Sequence, residues 1–90
     1  MKDGVVVVDF FATWCGPCKM LAPVFEELGE ELEGKAKFIK VDVDESPEIA
    51  QRYQVMTVPS VLVLKDGDLK ETSVGYVPKD QLKTVVEKYL

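Results

Sequence analysis

An α/β fold, with one four-stranded mixed sheet and helices on both of its faces, is what this sequence predicts. Three observations carry that expectation. Val5 to Phe11 is a nearly unbroken β-branched and aromatic run, the stretch from Leu21 to Leu32 repeats apolar residues at helical spacing, and strand and helix patterns alternate before a closing hairpin and a last helix. Ninety residues leave room for one compact core, so residues 1–90 are read as a single domain. With 47% hydrophobic and 30% charged residues the balance is that of a globular chain and not of a disordered one.

Each element has its own signature. Strand one, Val5 to Phe11, lacks polar alternation apart from Asp9, the pattern of a strand covered on both faces in a parallel sheet. From Pro17 onward Leu21, Val24, Phe25, Leu28 and Leu32 define one helix face, with Glu26, Glu27, Glu30, Glu31 and Glu33 on the other, closing near Gly34. Pro23 lies inside this helix and is expected to remove one backbone hydrogen bond and kink it about one turn past Cys18. Phe38 to Val43 reads as a second buried strand. Ser46-Pro47 has the form of an N-cap with proline at the first helical position, opening a helix of about two turns through Tyr53. Val61 to Lys65 and Leu69 to Val74 are strands, and Asp66-Gly67 between them suits a two-residue hairpin turn with positive backbone dihedrals. Pro78 opens a last amphipathic helix with Leu82, Val85, Val86 and Tyr89 on one face. The first two strands should join by a right-handed crossover.

Charge and hydropathy exclude several classes. The formal net charge is −5 and the lysines are scattered among acidic residues, so no basic stripe exists to neutralise a phosphate backbone and nucleic acid is not an expected partner. The apolar run Val5 to Phe11 is too short to span a bilayer, and Asp9 spoils it as a signal-peptide core. A soluble, untargeted protein with no membrane partner is expected.

The chemistry concentrates in Trp14-Cys15-Gly16-Pro17-Cys18-Lys19. These are the only two cysteines, and a loop so short constrains little of the unfolded chain, which argues against a structural staple. With no histidine, a tetrahedral zinc site would need two ligands from another molecule, so no metal is expected. Redox chemistry remains. Cys15 stands just before the first helical turn, where free N–H groups and the helix dipole favour a thiolate, and is the candidate nucleophile. Cys18, one turn on and more enclosed by Leu21 and the sheet, is placed to attack the mixed disulfide that Cys15 forms with a substrate. Gly16 keeps the backbone approachable, and Pro17 stiffens the ring.

Asp9 interrupts the most hydrophobic strand, where an unpaired carboxylate is costly, and Lys40 poses the same puzzle in strand two. If the strands are parallel neighbours the two could meet beneath the cysteines, where an Asp9 of raised pKa could take the Cys18 proton, directly or through water. A structural ion pair is the alternative. Trp14 either shields the motif and presents an apolar surface or is ordinary core packing. Pro59 opens a strand pattern and by itself carries no functional meaning.

The stretch Val8 to Met20, which contains Val8-Asp9-Phe10-Phe11-Ala12-Thr13-Trp14-Cys15-Gly16-Pro17-Cys18-Lys19-Met20, resembles the active-site segment of the thioredoxin family. Lys40-Val41-Asp42-Val43-Asp44, Thr57-Val58-Pro59-Ser60, Lys65-Asp66-Gly67 and Val74-Gly75 resemble further segments in the same order. The resemblance implies a thioredoxin-like fold and a protein disulfide reductase without bound cofactor. The Gly16-Pro17 spacer is similar to that of the reducing members, whereas oxidases and isomerases usually carry a histidine there. It implies that Val58-Pro59 is cis and faces the cysteines, that Gly16, Pro17, Thr57, Val58, Pro59, Val74, Gly75 and Tyr76 border the docking surface with Trp14, that Asp9 and Lys40 serve proton transfer at Cys18, and that Asp44 holds Trp14. The partners implied are a thioredoxin reductase and disulfide-containing substrate proteins, for a cytoplasmic monomer. Rival readings are a thiol oxidase or isomerase and a binding or scaffolding module of the same fold. Two departures stand out. The chain begins almost at the strand before the motif, a short form without the family's usual first strand and helix, so strand two should lie on an open edge or be covered differently. Phe11 stands where many members carry tryptophan.

Overall fold

The computed structural model describes residues 4–90; the residues ahead of Gly4, counted above in the single domain, lie outside the described residues. Its elements are β1 (Val5–Phe11), α1 (Gly16–Glu31), β2 (Ala36–Asp42), α2 (Pro47–Arg52), β3 (Ser60–Lys65), β4 (Asp68–Val74) and α3 (Lys79–Glu87). They build one four-stranded sheet in the order β2-β1-β3-β4, with β1 parallel to β2 and antiparallel to β3, and β3 antiparallel to β4. This is the mixed α/β sheet expected.

β1 lies between β2 and β3 and is buried on both faces, which accounts for its lack of alternation. Val5 and Val7 pack into a core with Leu21, Phe25 and Leu28 of α1 and Leu82 and Val86 of α3. Val6, Val8 and Phe10 point the other way, into a core with Leu62, Leu64 and Ala50, against which Ile49 and Tyr53 pack. Each such fully buried side chain contributes roughly 1.5–3 kcal/mol, so the two cores clamp β1 from both sides.

β2 lies on an open edge, as one expectation had it, and departs from the other. It runs from Ala36 to Asp42 and is not a buried strand: its residues are half-buried, with Lys37 and Lys40 exposed. The cause is its place at the sheet edge, paired on one side only among the described residues. Phe38 still packs edge-on against Phe25 of α1, ring centroids 5.1 Å apart.

The punctuation holds with small shifts. Asp66 and Gly67 both have positive φ, 53° and 88°, as the β3–β4 turn requires. Asp66 also anchors the start of β1: its N–H donates to the Gly4 carbonyl at 2.9 Å, and its Oδ1 accepts from the Gly4 N–H at 2.8 Å. Ser46 occupies the N-cap of α2 but makes no side-chain capping bond, and Pro78 sits at the N-cap of α3, one residue outside the helix it was expected to open. α1 continues through Pro23 to Glu31. At that end the Glu31 carboxylate accepts from Lys79 and from Lys83, the latter at 3.1 Å, tying α1 to α3. Glu71 of β4 accepts from Lys88 at 3.1 Å and from the Tyr89 hydroxyl at 2.8 Å.

Candidate active site

The parallel pair β1 and β2 directs the C-terminal ends of both strands to one edge of the sheet, where loops leave the pairing free to gather functional groups. β1 ends at Phe11, and a short turn closed by the Cys15 N–H on the Ala12 carbonyl (3.3 Å) delivers Cys15 to the N-cap of α1. Its extended backbone, φ −91° and ψ 117°, aims the sulfur back over the helix, where it accepts from the Cys18 N–H at 3.2 Å. No acidic residue occupies the first turn to oppose negative charge there. A thiolate at Cys15 therefore meets a hydrogen-bond donor and the positive end of the helix dipole.

Cys15 and Cys18 are joined as a disulfide, Cα atoms 5.3 Å apart, so the structure is the oxidised form. Both are 5% exposed, and Cys18 is not the more enclosed of the two, contrary to expectation. Their neighbours differ instead. Cys15 is flanked by exposed Trp14, Gly16 and Pro17, and a side chain at Gly16 would meet no protein atom, so the space above it stays open to another molecule. Cys18 borders a cavity of about 210 Å³ shared with Asp9, Phe11, Thr13, Ala22 and Lys40.

Asp9 is 1% exposed and its Oδ1 has no hydrogen-bond partner. Burial raises its pKa from 3.8 to about 6, against the opposing pull of the Lys40 charge. The two residues are register partners across β1 and β2, yet no contact ion pair joins them among the described residues. Lys40 is not a buried charge as expected: on the edge strand it reaches solvent, and its Nζ rests 4.9 Å from the centroid of the Phe11 ring. The cavity is roomy enough for water between Asp9 and Cys18.

Trp14 is 70% exposed, which excludes the core-packing alternative, and its Nε1 donates to Asp44 Oδ2 at 2.9 Å. Asp44 is itself positioned by its N–H on Asp42 Oδ1 at 2.8 Å. The Val58–Pro59 peptide is cis, and the Val58 carbonyl oxygen lies 3.8 Å from Cys15 Sγ. Ser60 Oγ donates to the Thr57 carbonyl at 2.7 Å, and the Gly75 N–H donates to the Pro59 carbonyl at 2.8 Å. The β3–β4 pairing brings Val74 opposite Ser60, leaving Val74 and Tyr76 exposed beside this loop. Gly75 has φ 89°, a conformation that disfavours any side chain.

Residues not foreseen also contribute. A groove of about 310 Å³ runs beside the cysteines, lined by Trp14, Val43, Val55, Met56, Thr57 and Val58. The sequence signal for Met56, in the loop before Pro59, is a large apolar residue outside any strand or helix pattern; Val43 reads from sequence as the end of the second strand. Among the described residues, no group of three or more His, Cys, Asp or Glu could hold a metal, and no helix is long and apolar enough to cross a membrane.

Comparison with known proteins fits this geometry. The family model Thioredoxin matches residues 1–88. The chain is 57% identical over 89 residues to the thioredoxin of Bacillus subtilis (strain 168), covering 99% of this chain and 86% of that protein. It is 52% identical over 90 residues to the thioredoxin of Staphylococcus aureus (strain Mu50), again covering 86% of the relative. Among solved structures, a mutant thioredoxin from Halobacterium salinarum NRC-1 superposes with a TM-score of 0.89 at 44% identity, over 97% of this chain and 75% of that one.

Proposed function

The chain belongs to the thioredoxin family and is a thiol-disulfide oxidoreductase that reduces disulfides; from that premise we propose that Cys15 attacks substrate proteins, Cys18 resolves, and Asp9 moves the proton of Cys18. The observation that supports this division most is the placement of Cys15 Sγ at the helix N-cap, on the Cys18 N–H and within reach of the Val58 carbonyl.

In the first step the Cys15 thiolate attacks one sulfur of a substrate disulfide. That S–S bond breaks, the other substrate sulfur leaves as a thiolate and takes a proton, and a mixed disulfide remains. In the second, Cys18 gives its proton to Asp9 and attacks the Cys15 sulfur; the mixed disulfide breaks, the second substrate sulfur leaves as a thiolate and takes a proton, and the Cys15–Cys18 disulfide remains. A carboxyl with a pKa of about 6 is largely ionised at neutral pH and a stronger base than an ordinary aspartate. Lys40, in the same cavity without touching Asp9, steadies its charge. The exchange carries its electrons on sulfur and needs no bound cofactor.

The substrate docks as an extended segment along the Val58 backbone, over Trp14, Gly16, Pro17, Thr57 and Pro59, with Val74, Gly75 and Tyr76 on the far side. A thioredoxin reductase returns two electrons to the disulfide. A cytoplasmic setting accords with a reductant that must be recycled. The protein acts as a monomer, since Lys37 and Lys40 on the edge strand oppose pairing with another chain.

Trapping tests the division of labour. Cys18→Ser should accumulate a mixed disulfide with a substrate protein through Cys15, and Cys15→Ser should not. Accumulation in Cys15→Ser alone would reverse the roles.

A further inference from the structure

Met56 is 93% exposed, more than any other large hydrophobic residue of the described chain, and it lines a groove with Val58, whose carbonyl oxygen is 3.8 Å from Cys15 Sγ. The loop that carries it leaves α2 through Gln54, whose φ is 56°, and reaches the Thr57 and Val58 backbone directly after Met56. Trp14, also strongly exposed, lines the same groove together with Val43, Val55 and Val58. Two large exposed apolar side chains, Trp14 and Met56, on one groove form the kind of patch that marks an interaction surface, and a thioether adapts its shape to varied partners. The groove is continuous with the docking surface, so its occupant is the stretch of substrate protein flanking the disulfide.

We propose that Met56 is a substrate-contacting residue whose oxidation by hydroperoxide weakens docking of protein disulfides; this rests on the reading that Cys15 attacks substrates laid along Val58. The thioether sulfur takes one oxygen atom from hydrogen peroxide: an S–O bond forms, the O–O bond breaks, the sulfur loses two electrons and water leaves. The product is a polar sulfoxide on an apolar groove. Full exposure gives peroxide access, and the oxidised cysteine pair presents no thiol to compete for it.

The test treats the disulfide form with hydrogen peroxide, locates the added oxygen by peptide mass mapping, re-reduces the protein with dithiothreitol and measures steady-state kinetics. With Met56 converted, KM for insulin disulfides should rise about threefold to tenfold. The reaction with a small aromatic disulfide, which does not fill the groove, should keep its rate. Met56→Leu protein, compared before and after the same treatment, should keep its own KM, and Met20→Leu protein should respond as the parent does. Met56→Gln, a polar side chain of similar length, should raise KM without peroxide. An unchanged KM after complete conversion of Met56, or equal sensitivity in Met56→Leu, overturns the proposal, as does equal slowing of the small disulfide, which would locate the damage at the cysteines. Residual insulin reduction by Cys15→Ser would instead sink the underlying reading, so the two failures are distinguishable.

Discussion

The two ends of α1 handle charge in opposite ways. At the N-terminal end Asp9 lies buried with an unpartnered oxygen and a pKa raised to about 6, while Trp14 and Met56 stand exposed to water. At the C-terminal end Glu31 accepts hydrogen bonds from Lys79 and Lys83, which hold its pKa below the ordinary carboxylate range. A glutamate there faces the negative end of the helix dipole, and the two lysines offset that repulsion. Glu71, bonded to Tyr89 and Lys88, is lowered for the same reason. Groups are satisfied where the helices are fastened together and left wanting where chemistry occurs. Functional sites commonly bear such a cost in stability.

Changes at the two ends should therefore move different observables. The largest effect is expected from Cys15→Ser, which should lower insulin-disulfide reduction at least about 10³-fold. A variant retaining a tenth of parental turnover would show that the N-terminal end is not the reactive one.

Asp9→Asn should separate stability from turnover. The Asp9 carboxyl releases its proton near 3.8 when unfolded and only near 6 in the folded oxidised protein. Between those values the folded state binds more protons, so its stability falls as pH rises, and the whole cost is present above about pH 7. Removing the charge should stabilise the oxidised protein by about 3 kcal/mol at pH 8 and by little below pH 4, read from urea unfolding. Turnover should fall roughly tenfold or more as the base is lost. Equal stability gains at both pH values would break the link to ionisation.

Gly75→Ala places a side chain at φ 89° where no atom obstructs it, so only backbone strain opposes the change. A loss of about 1 kcal/mol is expected in thermal or urea unfolding. The smallest effect belongs to the far end of α1. Glu31→Gln should lower Tm slightly, with turnover unaltered, and the difference should shrink in about 1 M salt because the contacts with Lys79 and Lys83 are exposed. A salt-insensitive loss would mean that packing, not charge, fastens α1 to α3.

Much was legible in the chain itself because it rests on local chemistry. β1 declared itself by an apolar run with a single carboxylate, the hairpin by Asp66-Gly67, and the reactive pair by two cysteines at the start of a helix. The order of elements and the limited choice of crossovers then left few sheets to consider. Other features have no local signature. Trp14 reaches Asp44 across 30 residues, and Cys15 meets Val58 across 43. The half-exposure of β2 follows from its edge position and not from its composition, which is why Lys40 proved exposed and Asp9 did not. The sequence by itself determined which groups can exchange electrons, because a thiol's chemistry travels with the residue. That Asp9 lies beneath them without a partner, and that Trp14 and Met56 border them in water, came from the packed chain alone, because burial and proximity are properties of packing.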